Sequence, residues 1–197
     1  MSRPEGTGWS EIDPNAFSSQ LDIQGLENAD KIVGHLKDRK IDKIYCSPYL
    51  KTIQTIYPFC NKYNKQMNIE PAFHDAMFKS IDANVDIHIC RNYANHFGYS
   101  YISDCINYHY KPKLFSSNIS LRENDMIVKN RIFSFLHNIC HRYKKKDKNI
   151  LIVTHKIITN FIIKFFDLSA NCSSLVNEQI TEINIPDTWD GIRLVKS

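Results

Sequence analysis

The chain has 197 residues, 43% of them hydrophobic, and a formal net charge of +4. That length and apolar content support one domain with a sizeable core, and so mild a charge gives no ground for a nucleic-acid-binding class. No stretch reaches the roughly eighteen apolar residues of a membrane span, and the N-terminus lacks a signal peptide's apolar region, so a cytoplasmic protein is expected.

Taken in chain order, the apolar periodicities alternate between helix and strand. The chain opens with Met1-Ser-Arg-Pro-Glu-Gly-Thr-Gly-Trp9, polar and turn-rich. Leu26, Ala29, Val33 and Leu36 line one face of a helix over about 24–38, and Ile44-Tyr45-Cys46 form a short strand over 43–46. Leu50, Ile53, Tyr57 and Cys60 then recur at helical spacing over about 48–64. Ser47 is placed to cap that helix, and Pro48 to occupy its first turn. A short strand follows at about 68–70. The segment from about 80 to 120 is less periodic and rich in rings, including Tyr93, Phe97, Tyr99, Tyr101, Tyr108, Tyr110 and Phe115. Val128, Ile132, Phe135, Leu136 and Ile139 mark a long helix over about 124–145. A strand at 149–154, a helix to about 166, and strands at 179–185 and 191–195 complete the series. This βα alternation predicts a mainly parallel sheet covered by helices, without internal repeat or linker, and so a single domain over residues 1–197.

Two strand ends carry the chemistry. Asn149-Ile-Leu-Ile-Val-Thr-His155 is an apolar run buried on both faces, and it delivers His155 to the carboxyl edge of the sheet. Open α/β folds bind ligands at that edge, where helix N-termini offer NH groups to an anion. Taken singly, His155 reads first as a capping or packed histidine, and Lys51, in the first helical turn after the 43–46 strand, as a solvated lysine. Together they form a candidate anion pair. His137 and His141 are four apart on the long helix, but Asn138 stands where a zinc protease has glutamate and no third ligand is in view, so no metal site and no cofactor are expected. The basic run Arg142 to Lys148 complements a helix C-terminus. The six cysteines form no Cys-x-x-Cys pair and read as reduced, buried thiols.

The segment Ser47-Pro48-Tyr49-Leu50-Lys51-Thr52-Ile53-Gln54-Thr55 resembles the Ser-Pro-x-x-Arg-x-x-Gln-Thr signature of the histidine phosphatase superfamily, whose fold is phosphoglycerate-mutase-like. Leu21 to Ala29 is similar to the segment preceding it there. Glu70 to Asp75 resembles the stretch bearing the family's acidic proton donor, and Ile152-Val-Thr-His155 its second active-site histidine. From Tyr110 through Glu123 and Arg131 to His155 the chain looks most like the phosphatase domains of suppressor-of-T-cell-receptor-signalling and ecdysteroid-phosphate phosphatase proteins. The resemblance implies a three-layer α/β fold, a phosphomonoester ligand, His155 and Asp75 as catalytic residues, and Lys51 with His155 on the phosphate. It also implies that the aromatic-rich insertion at about 80–120 lies over the site mouth; rings that simply pack on the sheet are the alternative.

The chain departs from that pattern in three places. Arg-His-Gly, which ends the family's first central strand and supplies the phosphoryl acceptor, does not occur in the sequence. The sheet is therefore expected to lack that strand, and the chain to be marginally stable unless residues 1–20 or a partner cover the gap. Lys51 replaces arginine, and Asp75 replaces glutamate. None of the remaining histidines (His35, His74, His88, His96, His109, His137, His141) replaces the nucleophile; His74 would alternate away from Asp75 in an extended segment. Three readings stay open: a phosphatase whose first strand is encoded upstream of Met1, a non-catalytic binder of phosphorylated ligands or interaction module, and, ranked last, a basic nucleic-acid module. A homodimer is also left open.

Overall fold

A computed structural model describes residues 19–76, 100–112 and 123–166. The expected strands at 179–185 and 191–195, and most of the aromatic-rich segment, lie outside those residues. Helix α1 (Ile23–Leu36) starts where the Asp22 carboxylate accepts the Gly25 N–H at 2.8 Å, an N-cap that satisfies one of the helix's free donors. A Cβ on Gly25 would meet Leu21 and the Asp22 carboxylate at 3.1–3.2 Å, so the closely turned entry favours glycine. Strand β1 (Lys43–Cys46) leads into α2 (Leu50–Lys62), and β2 (Met67–Ile69) into a single 3-10 turn (Pro71–Phe73). The short helix α3 (Ser100–Ser103) precedes the long α4 (Asp125–Tyr143), which Asn124 caps by accepting Ile127 N–H at 3.0 Å. Strand β3 (Ile150–Val153) and helix α5 (Lys156–Phe165) follow.

The three strands are parallel in the order β2-β1-β3, with Ile44 opposite both Met67 and Leu151. Alternation along the strands divides the core into two layers. Ile44 and Cys46 join Val33, Leu36, Ile53, Ile56 and Phe59 on the α1/α2 side, with Leu151 and Val153 packed against them. Tyr45 points the other way, to Val128, Ile132, Phe135, Leu136, Ile158 and Ile162, joined by Ile150 and Ile152. Helices thus cover both faces, and the protein is a three-layer α/β fold. The central β1 is buried past its first residue and β2 throughout, whereas all four residues of β3 are half-buried. Among the described residues β3 pairs with β1 alone.

Helices α1, α2, α4 and α5 and the three strands fall within a few residues of the positions the sequence predicts, whereas α3 and the 3-10 turn were not anticipated, and one local detail is corrected. Helix α2 begins at Leu50 with Tyr49 as N-cap, and no side chain caps it. Pro48 therefore precedes the helix, and the Ser47 hydroxyl is turned to a different partner.

Candidate active site at the carboxyl edge of the sheet

Backbone pairing runs one residue beyond each strand and sets the site. Ser47 N–H donates to Val153 O at 2.9 Å and Glu70 N–H to Cys46 O at 2.9 Å, so Ser47, Glu70 and Thr154-His155 arrive side by side. His155 occupies the N-cap position of α5, but its ring makes no capping bond. Its Nε2 lies 2.8 Å from Ser47 Oγ and its Nδ1 lies 3.6 Å from Asp75 Oδ2. The Tyr49 ring meets it edge-on, 4.7 Å between centroids. Burial drives the His155 imidazole down to about 4; Asp75 opposes that shift, while the charges of Lys51 and Arg131 reinforce it. The ring is neutral at pH 7.

Lys51 sits in the first turn of α2, its Nζ 5.7 Å from the Tyr49 ring centroid. Local bonds hold that turn: Thr52 Oγ1 contacts the carbonyl oxygens of Tyr49 and Ser47 at 2.6 and 3.0 Å, and Thr55 Oγ1 donates to Lys51 O at 2.7 Å. Buried Gln54 accepts Leu21 N–H at 2.9 Å, tying the entry of α1 to α2.

Asp75 is presented by a turn braced from four directions. The Glu70 carboxylate, fully buried, accepts Ala72 N–H at 2.9 Å and the Tyr110 hydroxyl. Thr154 Oγ1 donates to Phe73 O at 2.9 Å. From α4, Arg131 reaches the carbonyls of Ala72 and Asp75 while gripping Glu123 with Nε–Oε1 and Nη2–Oε2 at 2.7 and 2.9 Å, the paired geometry suited to guanidinium and carboxylate. His74 Nδ1 donates to Asp75 O at 2.6 Å, and its Nε2 comes within 3.6 Å of Glu123. The Glu123 carboxylate favours a proton on His74, but burial and the Arg131 charge outweigh it and hold the ring down to about 3. The His74 ring turns to Glu123, away from the pocket, while the Asp75 side chain, 34% exposed, faces His155.

Lys51, Asp75 and His155, up to 104 residues apart in sequence, therefore gather around one edge. Ser47, Arg131 and Glu123 were not foreseen as parts of the arrangement, although Arg131 interrupts the apolar stripe between Val128 and Phe135, a placement that asks for a buried partner. His35, His137 and His141 lie on exposed helix faces. Among the described residues, no three His, Cys, Asp or Glu side chains gather as a metal site, and no helix is long and apolar enough to cross a membrane.

Among solved structures, the chain is similar to the ecdysone phosphate phosphatase from Bombix mori in complex with tungstate, at 17% identity and a TM-score of 0.56 over 85% of this chain. It spans 64% of that structure's length. The alpha-ribazole phosphatase from Shigella flexneri aligns at 15% identity and a TM-score of 0.48, over 74% of this chain and 66% of the other. No curated protein matches. The model of the histidine phosphatase superfamily (branch 1) matches residues 15–184. With nearly the whole chain inside that match and the α/β architecture in agreement, the protein belongs to the histidine phosphatase superfamily.

Proposed function

We propose that this edge is a phosphomonoester pocket of the phosphatase type. Lys51 and His155 hold the phosphoryl oxygens, and Asp75 faces the bridging oxygen as the general acid. The supporting observation is the meeting of His155 with Asp75, within reach of the Lys51 charge, where three parallel strands end. A deep, neutral imidazole beside a half-exposed carboxyl and a lysine suits a small anion better than an extended surface partner. The similarity to the ecdysone phosphate phosphatase supports a phosphorylated ligand as well.

The same residues argue for binding with little turnover by the 197-residue chain. Transfer through a phosphohistidine needs an acceptor imidazole, and positioned cations alone bind and polarise the phosphate. Arg-His-Gly is absent from the sequence, His155 Nε2 is turned inward to Ser47 while its Nδ1 faces Asp75, and His74 is packed behind the acid. Lysine in place of arginine also gives a point charge instead of a planar fork, which predicts weak binding.

The test pairs phosphate titration followed by 31P NMR with hydrolysis of a generic aryl phosphate, on the unsubstituted chain, Lys51→Ala and His155→Ala. Saturable phosphate binding that Lys51→Ala weakens, without turnover, is expected. Robust hydrolysis abolished by His155→Ala would overturn the binding-only reading, and no binding at millimolar phosphate would overturn the pocket.

A further inference from the structure

We propose that Ser47 is a positioning residue that fixes His155 as its Nδ1–H tautomer, so that an N–H and not a lone pair faces the anion site; the role in anion binding rests on the phosphate-pocket reading above. The inference follows from the partners on the two sides of the ring. A neutral imidazole has one donor nitrogen and one acceptor nitrogen. Nδ1 faces a carboxylate oxygen of Asp75 at 3.6 Å, and Nε2 faces Ser47 Oγ at 2.8 Å. An ionised carboxylate only accepts, so an unprotonated Nδ1 would set two acceptors against each other. With the proton on Nδ1, Nε2 becomes an acceptor and Ser47 its donor. The Ser47 oxygen then still has a lone pair for Tyr49 N–H, 3.4 Å away.

Ser47 has no freedom to do otherwise. It is fully buried, so water cannot stand in for its hydroxyl. Its backbone is held on both sides, N–H to Val153 O and C=O from Thr52 Oγ1. The Tyr49 ring edge at 4.7 Å restrains rotation of the imidazole. Among the described residues, the half-exposed partner of the ring is Asp75, so a phosphoryl oxygen entering there meets Nδ1–H. A neutral histidine can then bind an anion without first taking up a proton from solution. Capping, the role the sequence suggested for Ser47, is not the one it plays, since α2 has no side-chain cap.

The experiment uses the full chain labelled with 15N-histidine, with His155 assigned by the resonance lost in His155→Gln. Long-range proton–nitrogen correlation at pH 7 reads the tautomer directly. Expected is a protonated Nδ1 and an unprotonated Nε2 in the unsubstituted chain. Ser47→Ala should shift His155 toward the Nε2–H form that imidazoles prefer in water and weaken inorganic phosphate binding about five- to tenfold, the effect of roughly one hydrogen bond. Ser47→Thr, which keeps the hydroxyl, should restore both. A protonated Nε2 in the unsubstituted chain overturns the proposal with no variant required, which covers the case of a Ser47→Ala chain that does not fold. An unchanged tautomer in folded Ser47→Ala overturns it as well. Should the tautomer respond as expected while the unsubstituted chain binds no phosphate, Ser47 keeps its positioning role and the phosphate-pocket reading is what fails.

Discussion

Replacing Glu123 by alanine removes the carboxylate that, among the described residues, grips Arg131. The Glu123 side chain is 2% exposed and that of Arg131 10%, so the guanidinium would stay in the interior with, among the described residues, the Ala72 and Asp75 carbonyls as acceptors. Breaking a buried pair from one side typically costs about 3–5 kcal/mol, because a buried charge loses its counter-ion. Against a total stability of about 5–15 kcal/mol, that is a fifth or more of what holds a typical domain together. For a chain of this length, each kcal/mol moves Tm by about 2–4 °C, so Glu123→Ala should melt about 6–20 °C lower. Removing both charges with apolar residues of similar volume, Glu123→Leu with Arg131→Met, should cost less than Glu123→Ala alone. Urea unfolding of the two single variants and the double variant gives the coupling energy. The double variant should nonetheless lose phosphate affinity, since the turn that presents Asp75 has lost its clamp from α4. A cost below about 1 kcal/mol for Glu123→Ala, or a double variant as unstable as the two single costs added, would refute the reasoning.

Acid should unfold the protein through His155 and His74. Both are held below the ordinary value of 6.5, so the unfolded chain takes up protons first; their stability contribution is full above pH 6.5 and is lost as pH falls toward about 4 for His155 and about 3 for His74. Urea midpoints measured from pH 7 to pH 4 should fall, and a flat profile would contradict the burial argument. Lys51→Arg should tighten phosphate binding severalfold by restoring two-point contact, and equal or weaker affinity in a titration would count against Lys51 as an anion ligand. Cys46 and Cys60 are fully buried, with thiols pushed up by desolvation, Cys60 to about 12. Neither should react with a thiol reagent until the chain unfolds, and rapid labelling of either in the native state would show the α1/α2 layer to be open.

Where the sequence is periodic, it locates the elements well. The strand at 43–46 is found to the residue because Ile44, Tyr45 and Cys46 stand between polar neighbours, and the stripe from Val128 to Ile139 fixes the side α4 buries. Lys51, Asp75 and His155 could be nominated because each lies just past a strand and the resemblance supplied the acid. The hydrogen bonds that hold these residues in place were illegible for a physical reason. Ser47 to His155, Tyr110 to Glu70 and Arg131 to Ala72 are hydrogen bonds across 108, 40 and 59 residues, and no local pattern encodes them. Ser47 was assigned to capping since Ser-Pro before an apolar run is a common helix start. Tertiary pairing claimed its hydroxyl instead.

The order β2-β1-β3 also has a consequence for synthesis on the ribosome. The first parallel pair, β1 with β2, and the helices α1 and α2 on one side of it can assemble as soon as residue 69 is out. The layer of α4 and α5 that covers the opposite side, around Tyr45, belongs to sequence beyond residue 124. The partner strand of β1 on its other edge comes 107 residues later. At about 5–20 residues per second, that leaves a half-clothed sheet exposed for roughly 5–20 s. Nascent chains stalled before residue 150 should therefore recruit holding chaperones or bind an apolar dye, and chains stalled well beyond residue 166 should not. Equal dye binding at both lengths would mean that the uncovered face is shielded earlier by another part of the chain.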